Sequence, residues 1–188
     1  MRLRSILKKF TKIIVIFLVA VIQLSFISAL PGIFSYFNLI ALTLVLFLIL
    51  YDLKIAFYLA LFFGFLSDIH SSIFFGLNII CWILAIIITN FFLLRFFTNK
   101  SIYSFISLTI ITIIFYELPK VFLLFSIDFI IKDTPRQIII IKDYFLNISQ
   151  EILINAVVMF ILFYFINYFS KRLQPVFGKR AVTNQNNL

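Results

Sequence analysis

The chain has 188 residues, of which 64% are apolar and only 12% charged, with a formal net charge of +9. A soluble domain carries roughly 25% charge and about half apolar residues. One water-soluble core therefore cannot hide this surface, and a bilayer is the expected solvent. The positive charge does not point to nucleic acid, because the basic residues flank apolar segments, as membrane topology demands.

The apolar share provides for about six spanning helices of about 20 residues each. The runs are continuous, without the alternation of a barrel strand. The fold class expected is an all-α integral membrane protein, a six-helix transmembrane bundle. Residues 1–12 read as a basic cytoplasmic N-terminus, 13–170 as one membrane domain, and 171–188 as a basic, partly disordered cytoplasmic tail.

Segment one, 13–30, follows Arg2, Arg4, Lys8, Lys9 and Lys12 and ends at Pro31-Gly32. It is long for a signal peptide and no small-residue cleavage site follows, so it reads as an uncleaved span. Segment two covers 33–51, segment three 55–67, segment four 74–97, and segment five 102–125. Pro119 removes a helical hydrogen bond and is expected to kink or end segment five near Glu117. The stretch 126–150 reads as a long external loop, within which Thr134-Pro135-Arg136-Gln137 has the features of a helix start. The sequon Asn147-Ile148-Ser149 reads as a chance match. Segment six covers 152–169.

With the N-terminus inside, twelve of the 16 Lys and Arg residues fall on the cytoplasmic side. Only Lys120, Lys132, Arg136 and Lys142 fall outside. This positive-inside bias, with basic residues at both ends, places both termini in the cytoplasm after an even number of crossings. Segment three is the weak span, because 55–67 reaches only about 20 Å as a helix. It is expected to tilt or to continue into 68–73.

Segment three carries Ala56, Ala60, Gly64 and Asp68 at four-residue spacing, which places them on one helical face. Small residues at that spacing let a second membrane helix approach closely. Segment four offers Cys81, Ala85 and Thr89, with Asn78 near the same face, so the two segments are expected to form an antiparallel pair. A carboxylate in hydrocarbon faces protein and finds partners. Asp68 is therefore expected to tie the turn to Ser71, Ser72 or the exposed amides opening segment four. Glu117, Glu151 and Asn155 fall at a similar depth and are expected to share a layer with it.

One histidine and one cysteine, Cys81, make neither a disulfide framework nor a usual zinc site. No GxSxG, HExxH or P-loop pattern is present. The expectation is a non-enzymatic protein without a cofactor.

The region 31–97 resembles the rod-shape-determining MreD family. The resemblance rests on a short apolar helix running into Gly64-x-x-x-Asp68, a small-residue turn at Ser71-Ser72, and Gly76 opening the next long helix. That family often has a glycine where this chain has Ser72, and Pro-Asp where this chain has Pro31-Gly32. The resemblance implies a membrane scaffold of the bacterial cell-elongation and peptidoglycan-synthesis machinery, in the bacterial inner membrane. The implied partners are a bitopic MreC-like protein and, through it, MreB, RodA and a class B penicillin-binding protein. It also implies a bundle like the substrate-binding S-components of energy-coupling-factor vitamin transporters, which makes a small-molecule transport subunit the alternative. Trp82 is the only tryptophan and polar groups on the outer side read as few, so the scaffold is preferred. The residues expected to carry helix packing and partner binding are Ala56, Ala60, Gly64, Asp68, Gly76, Cys81, Ala85, Glu117 and Asn155.

Overall fold

The structure is a computed structural model describing residues 17–71, 74–97, 101–131 and 137–177. The described residues form six helical segments and no strand. Helix α1 covers Phe17–Phe26 and α2 Leu39–Leu50. Helix α3 covers Leu53–His70, α4 Leu77–Phe96, α5 Ile102–Ile131 and α6 Gln137–Phe177. Four of them, α3 to α6, contain stretches long and apolar enough to cross a membrane. Their outer surfaces expose large apolar side chains such as Tyr58, Ile69, Leu94, Phe122, Leu153 and Phe165. In water such a surface would be an aggregation liability; against lipid it is the ordinary face of a membrane helix.

The segment expected over 33–51 is shorter than the sequence reading has it. The end of α1 is a π-helical turn, Ile22–Phe26, followed by a 3₁₀ turn at Ile27–Ala29 and a second at Gly32–Tyr36. Gly32 supplies the positive φ of +69° that lets the chain turn after Pro31. Helix α2 then begins only at Leu39. Asn38 caps it, its side chain accepting from the Ala41 N–H at 2.9 Å. Twelve residues reach only about 18 Å. Seven of them are buried, Ile40 through Leu42, Leu44, Val45, Leu48 and Ile49, so α2 is apolar all round because it lies inside the bundle. It joins both apolar cores, one shared with α1, α3, α4 and α5, the other with α5 and α6.

Helix α3 has 18 residues and absorbs the expected extension as far as His70. Helix α4 starts three residues later than the apolar run, at Leu77 after Gly76. Helix α5 neither ends nor breaks at Pro119 but runs on to Ile131, and α6 is helical from Gln137. The long external loop over 126–150 is therefore replaced by helix over most of its length. The Thr134 cap and Ser72 lie outside the described residues.

Candidate functional site

The α3–α4 pair holds most of the residues singled out from the sequence. Ala56, Ala60, Gly64 and Asp68 on α3 are buried, as are Asn78, Cys81, Ala85 and Thr89 on α4. At Gly64 the two backbones touch: a Cβ added there would lie 2.7 Å from the Ile79 Cα and 3.1 Å from its nitrogen. Only glycine permits that approach. Gly76 is a glycine for a different reason. A Cβ added there would meet open space, but its φ of +97° is left-handed.

A glycine at the N-cap brings no side chain to satisfy the first amides of α4. Asp68, from the preceding helix, does so instead. Its Oδ2 accepts from the Gly76 N–H at 3.0 Å and the Ile79 N–H at 3.2 Å. Its Oδ1 accepts from the Asn78 N–H at 2.9 Å and from the Asn78 side-chain amide at 3.0 Å. The Leu77 N–H is taken by the Phe74 carbonyl at 3.3 Å. The buried carboxylate thus meets four donors and the positive end of a helix. Asn78 passes the network to α5, where the Tyr116 hydroxyl donates to its Oδ1 at 2.9 Å.

A second set of bonds joins α5 to α6. The Tyr144 hydroxyl donates to Glu117 Oε2 at 2.7 Å, and Lys120 Nζ lies 3.4 Å from Glu117 Oε1. The same ammonium sits 5.0 Å above the Tyr116 ring, within cation–π range. Tyr116 in turn stacks on Trp82 at 3.8 Å between centroids.

A third set ties the entry of α2 to α6. The Asn38 side-chain amide donates to Glu151 Oε1 at 2.8 Å, and its backbone N–H to Asn155 Oδ1 at 2.9 Å. Asn155 also donates to the Tyr36 carbonyl at 3.0 Å. Gln23, in the π-helical turn of α1, accepts from the Leu39 N–H at 2.7 Å and donates to the Phe37 carbonyl at 3.1 Å.

The four groups expected in one layer therefore fall into three sets: Asp68 in one, Glu117 in another, Glu151 and Asn155 in the third. A cavity of about 200 Å³ lies where the sets meet. Gln23, Asn38, His70, Asn78, Tyr116 and Lys120 line it, with Trp82 beside them. Sequence reasoning missed Gln23, Asn38 and Tyr116 as members of this site. Asn38 had a readable signal, an asparagine directly before an apolar run. Gln23 had a weaker one, a lone amide within an apolar segment. Tyr116 had none. Among the described residues no cluster of three metal-ligating side chains occurs.

At the other end of α3 and α4, Tyr51, Asp52, Asn90, Phe97 and Ser104 line a larger open recess of about 620 Å³. None of the residues singled out from the sequence lies in it.

No family model, curated protein or solved structure matches the chain.

Proposed function

We propose that this chain is a non-enzymatic, MreD-like membrane scaffold of the bacterial cell-elongation machinery. In this reading it crosses the cytoplasmic membrane six times, α1 and α2 included, keeps both termini inside, and binds a bitopic MreC-like protein. MreB, RodA and a class B penicillin-binding protein are then reached indirectly.

The observation that supports the reading is the use made of Gly64, Asp68 and Gly76. These residues carry the resemblance, and they form one interlocking unit in which each has its own physical task. Gly64 sets the α3–α4 distance, Gly76 turns the chain, and Asp68 caps α4 across the interface. A rigid helix pair with apolar outer faces suits a protein whose work is lateral association in the membrane.

The test is co-purification of this chain with the MreC-like protein encoded in the same genome. The scaffold reading expects a stable complex, and expects cells depleted of this chain to lose their rod shape. Absence of a complex, together with co-purification of a transporter ATPase pair, would overturn it in favour of the transport subunit.

A further inference from the structure

We propose that the open recess at the Asp52 end of the bundle binds the headgroup of an aminophospholipid of the phosphatidylethanolamine type, with its primary ammonium on Asp52. The inference goes beyond the scaffold role and does not depend on it.

The recess is walled by the last turn of α2, the start of α3, the last two turns of α4 and Ser104 of α5. Its volume of about 620 Å³ falls within the roughly 300–1,000 Å³ of small-ligand sites. Most of the lining is apolar, and Asp52 is its one charged residue.

Asp52 is uncommitted. It stands at the N-cap of α3, where an aspartate usually accepts from an amide of the first turn. Its side chain makes no such bond here; the Ile55 and Ala56 N–H groups go to its backbone carbonyl at 3.1 and 3.2 Å. The one ion pair among the described residues is Lys120–Glu117. Asp52 is also exceptional in sign. Of the seven acidic residues it alone falls on the side to which the positive-inside bias assigns twelve of the 16 basic ones. Asn90, half-buried in the same lining, makes no side-chain hydrogen bond among the described residues, so its carbonyl is a second acceptor.

These acceptors select the ligand. A primary ammonium offers three donors, and its bonds to a carboxylate are charge-assisted. A quaternary ammonium has no N–H and relies on an aromatic cage. The lining holds only Tyr51 and Phe97 as rings, and Tyr51 is already stacked on Phe47 at 5.3 Å between centroids. Two exposed cations, Lys54 and Arg95, follow the lining residues Leu53 and Leu94 in the chain. A bare amine would be repelled by them; a headgroup with a phosphate beside its ammonium answers both signs. The source is a lipid because the apolar wall runs outward. Leu94 is 71% exposed and joins the recess to the outer apolar surface, along which an acyl chain can lie.

The protein, purified in non-ionic maltoside, is exchanged into micelles holding equal amounts of phosphatidylethanolamine, phosphatidylcholine and phosphatidylglycerol with identical chains. Retained lipid is counted by native mass spectrometry. The wild type is expected to prefer phosphatidylethanolamine over phosphatidylcholine by about five-fold, the upper range for an exposed ion pair. Asp52→Asn is expected to bring that ratio close to one, and Asp52→Glu to keep it above one. Asp52 is exposed and asparagine is an equal N-cap residue, so both variants are expected to melt with the wild type. Should Asp52→Asn not fold, the wild-type ratio and that of Asp52→Glu still decide. Equal retention of the two lipids by the wild type overturns the proposal, as does a folded Asp52→Asn with the wild-type ratio. Preferred retention of phosphatidylglycerol would mean that the flanking cations alone act, and overturns it too. Displacement of the bound lipid by an equal concentration of free phosphoethanolamine would assign the recess to a soluble amine instead of a lipid, with the same consequence.

Discussion

Asn78 donates twice to a single oxygen of Asp68, through its backbone N–H at 2.9 Å and through its side-chain amide at 3.0 Å. The second oxygen of Asp68 is committed to Gly76 and Ile79. Both oxygens are therefore required as acceptors, and an amide cannot supply both. Asp68→Asn keeps one acceptor and turns an NH₂ group toward backbone donors. Asp68→Ala leaves every donor unmet. Each buried unsatisfied donor costs about 1–3 kcal/mol. The expected order of thermal stability in detergent is wild type, then Asn, then Ala. A wild-type melting curve for Asp68→Asn would show that the second oxygen contributes nothing.

Gly64→Ala tests the backbone contact directly. The added methyl would sit 2.7 Å from the Ile79 Cα, and backbone cannot swing aside as a side chain can. The cost expected is about 1–3 kcal/mol, that of overpacking a filled interface. Phe65, one residue on, is exposed, so Phe65→Leu is the control and is expected to melt with the wild type. Equal behaviour of the two variants would mean that α3 and α4 do not approach there.

How far the sequence reached can be argued from these same residues. Four-residue spacing of small side chains is a local pattern, and it specified the α3 face because close approach needs little else. Asp68 was legible as a buried acceptor, since charge in an apolar run must be partnered. Its partners were foreseen as serines or the opening amides; the structure supplies the amides. The third dimension of the site was not legible. Asn38 and Asn155 are 117 positions apart and meet only because α2 begins late, after two short turns that the apolar pattern conceals. Pro119 misled because a helix can lose one hydrogen bond and continue when neighbouring helices hold both halves. Tyr116 looks like any core aromatic until its hydroxyl is seen on Asn78.

The hydroxyl pair in the middle of the α4–α5 interface is expected to matter little. Thr89 and Thr112 lie 2.9 Å apart, but each hydroxyl also donates to a carbonyl of its own helix, Ala85 and Leu108 respectively, at 2.7 Å. Two protons cannot serve three contacts at once. A double-mutant cycle with Thr89→Val and Thr112→Val, read by thermal or denaturant unfolding, is expected to give a coupling of at most about 0.6 kcal/mol, the average for interhelical bonds in membranes. A coupling several times larger would mean that the pair, rather than the two back-bonds, holds the protons.

Orientation in the membrane can be read from single cysteines in a Cys81→Ala background, since the native thiol is buried. The 3₁₀ turn Gly32–Tyr36 lies at the Asp68 end of the bundle. Tyr36 bonds Asn147, near the start of the Tyr144–Tyr168 stretch of α6 that is long enough to span, and the neighbouring Asn38 lines the same cavity as His70. Asp52, between α2 and α3, lines the recess at the opposite end. The positive-inside bias assigns the Asp68 end to the exterior. Ser35→Cys is therefore expected to react with a membrane-impermeant maleimide added to intact cells, and Asp52→Cys only after the membrane is opened. Labelling of both from outside would mean that α2 does not cross. Labelling of Asp52→Cys alone would invert the whole bundle, and the cavity beside Lys120 would then open to the cytoplasm.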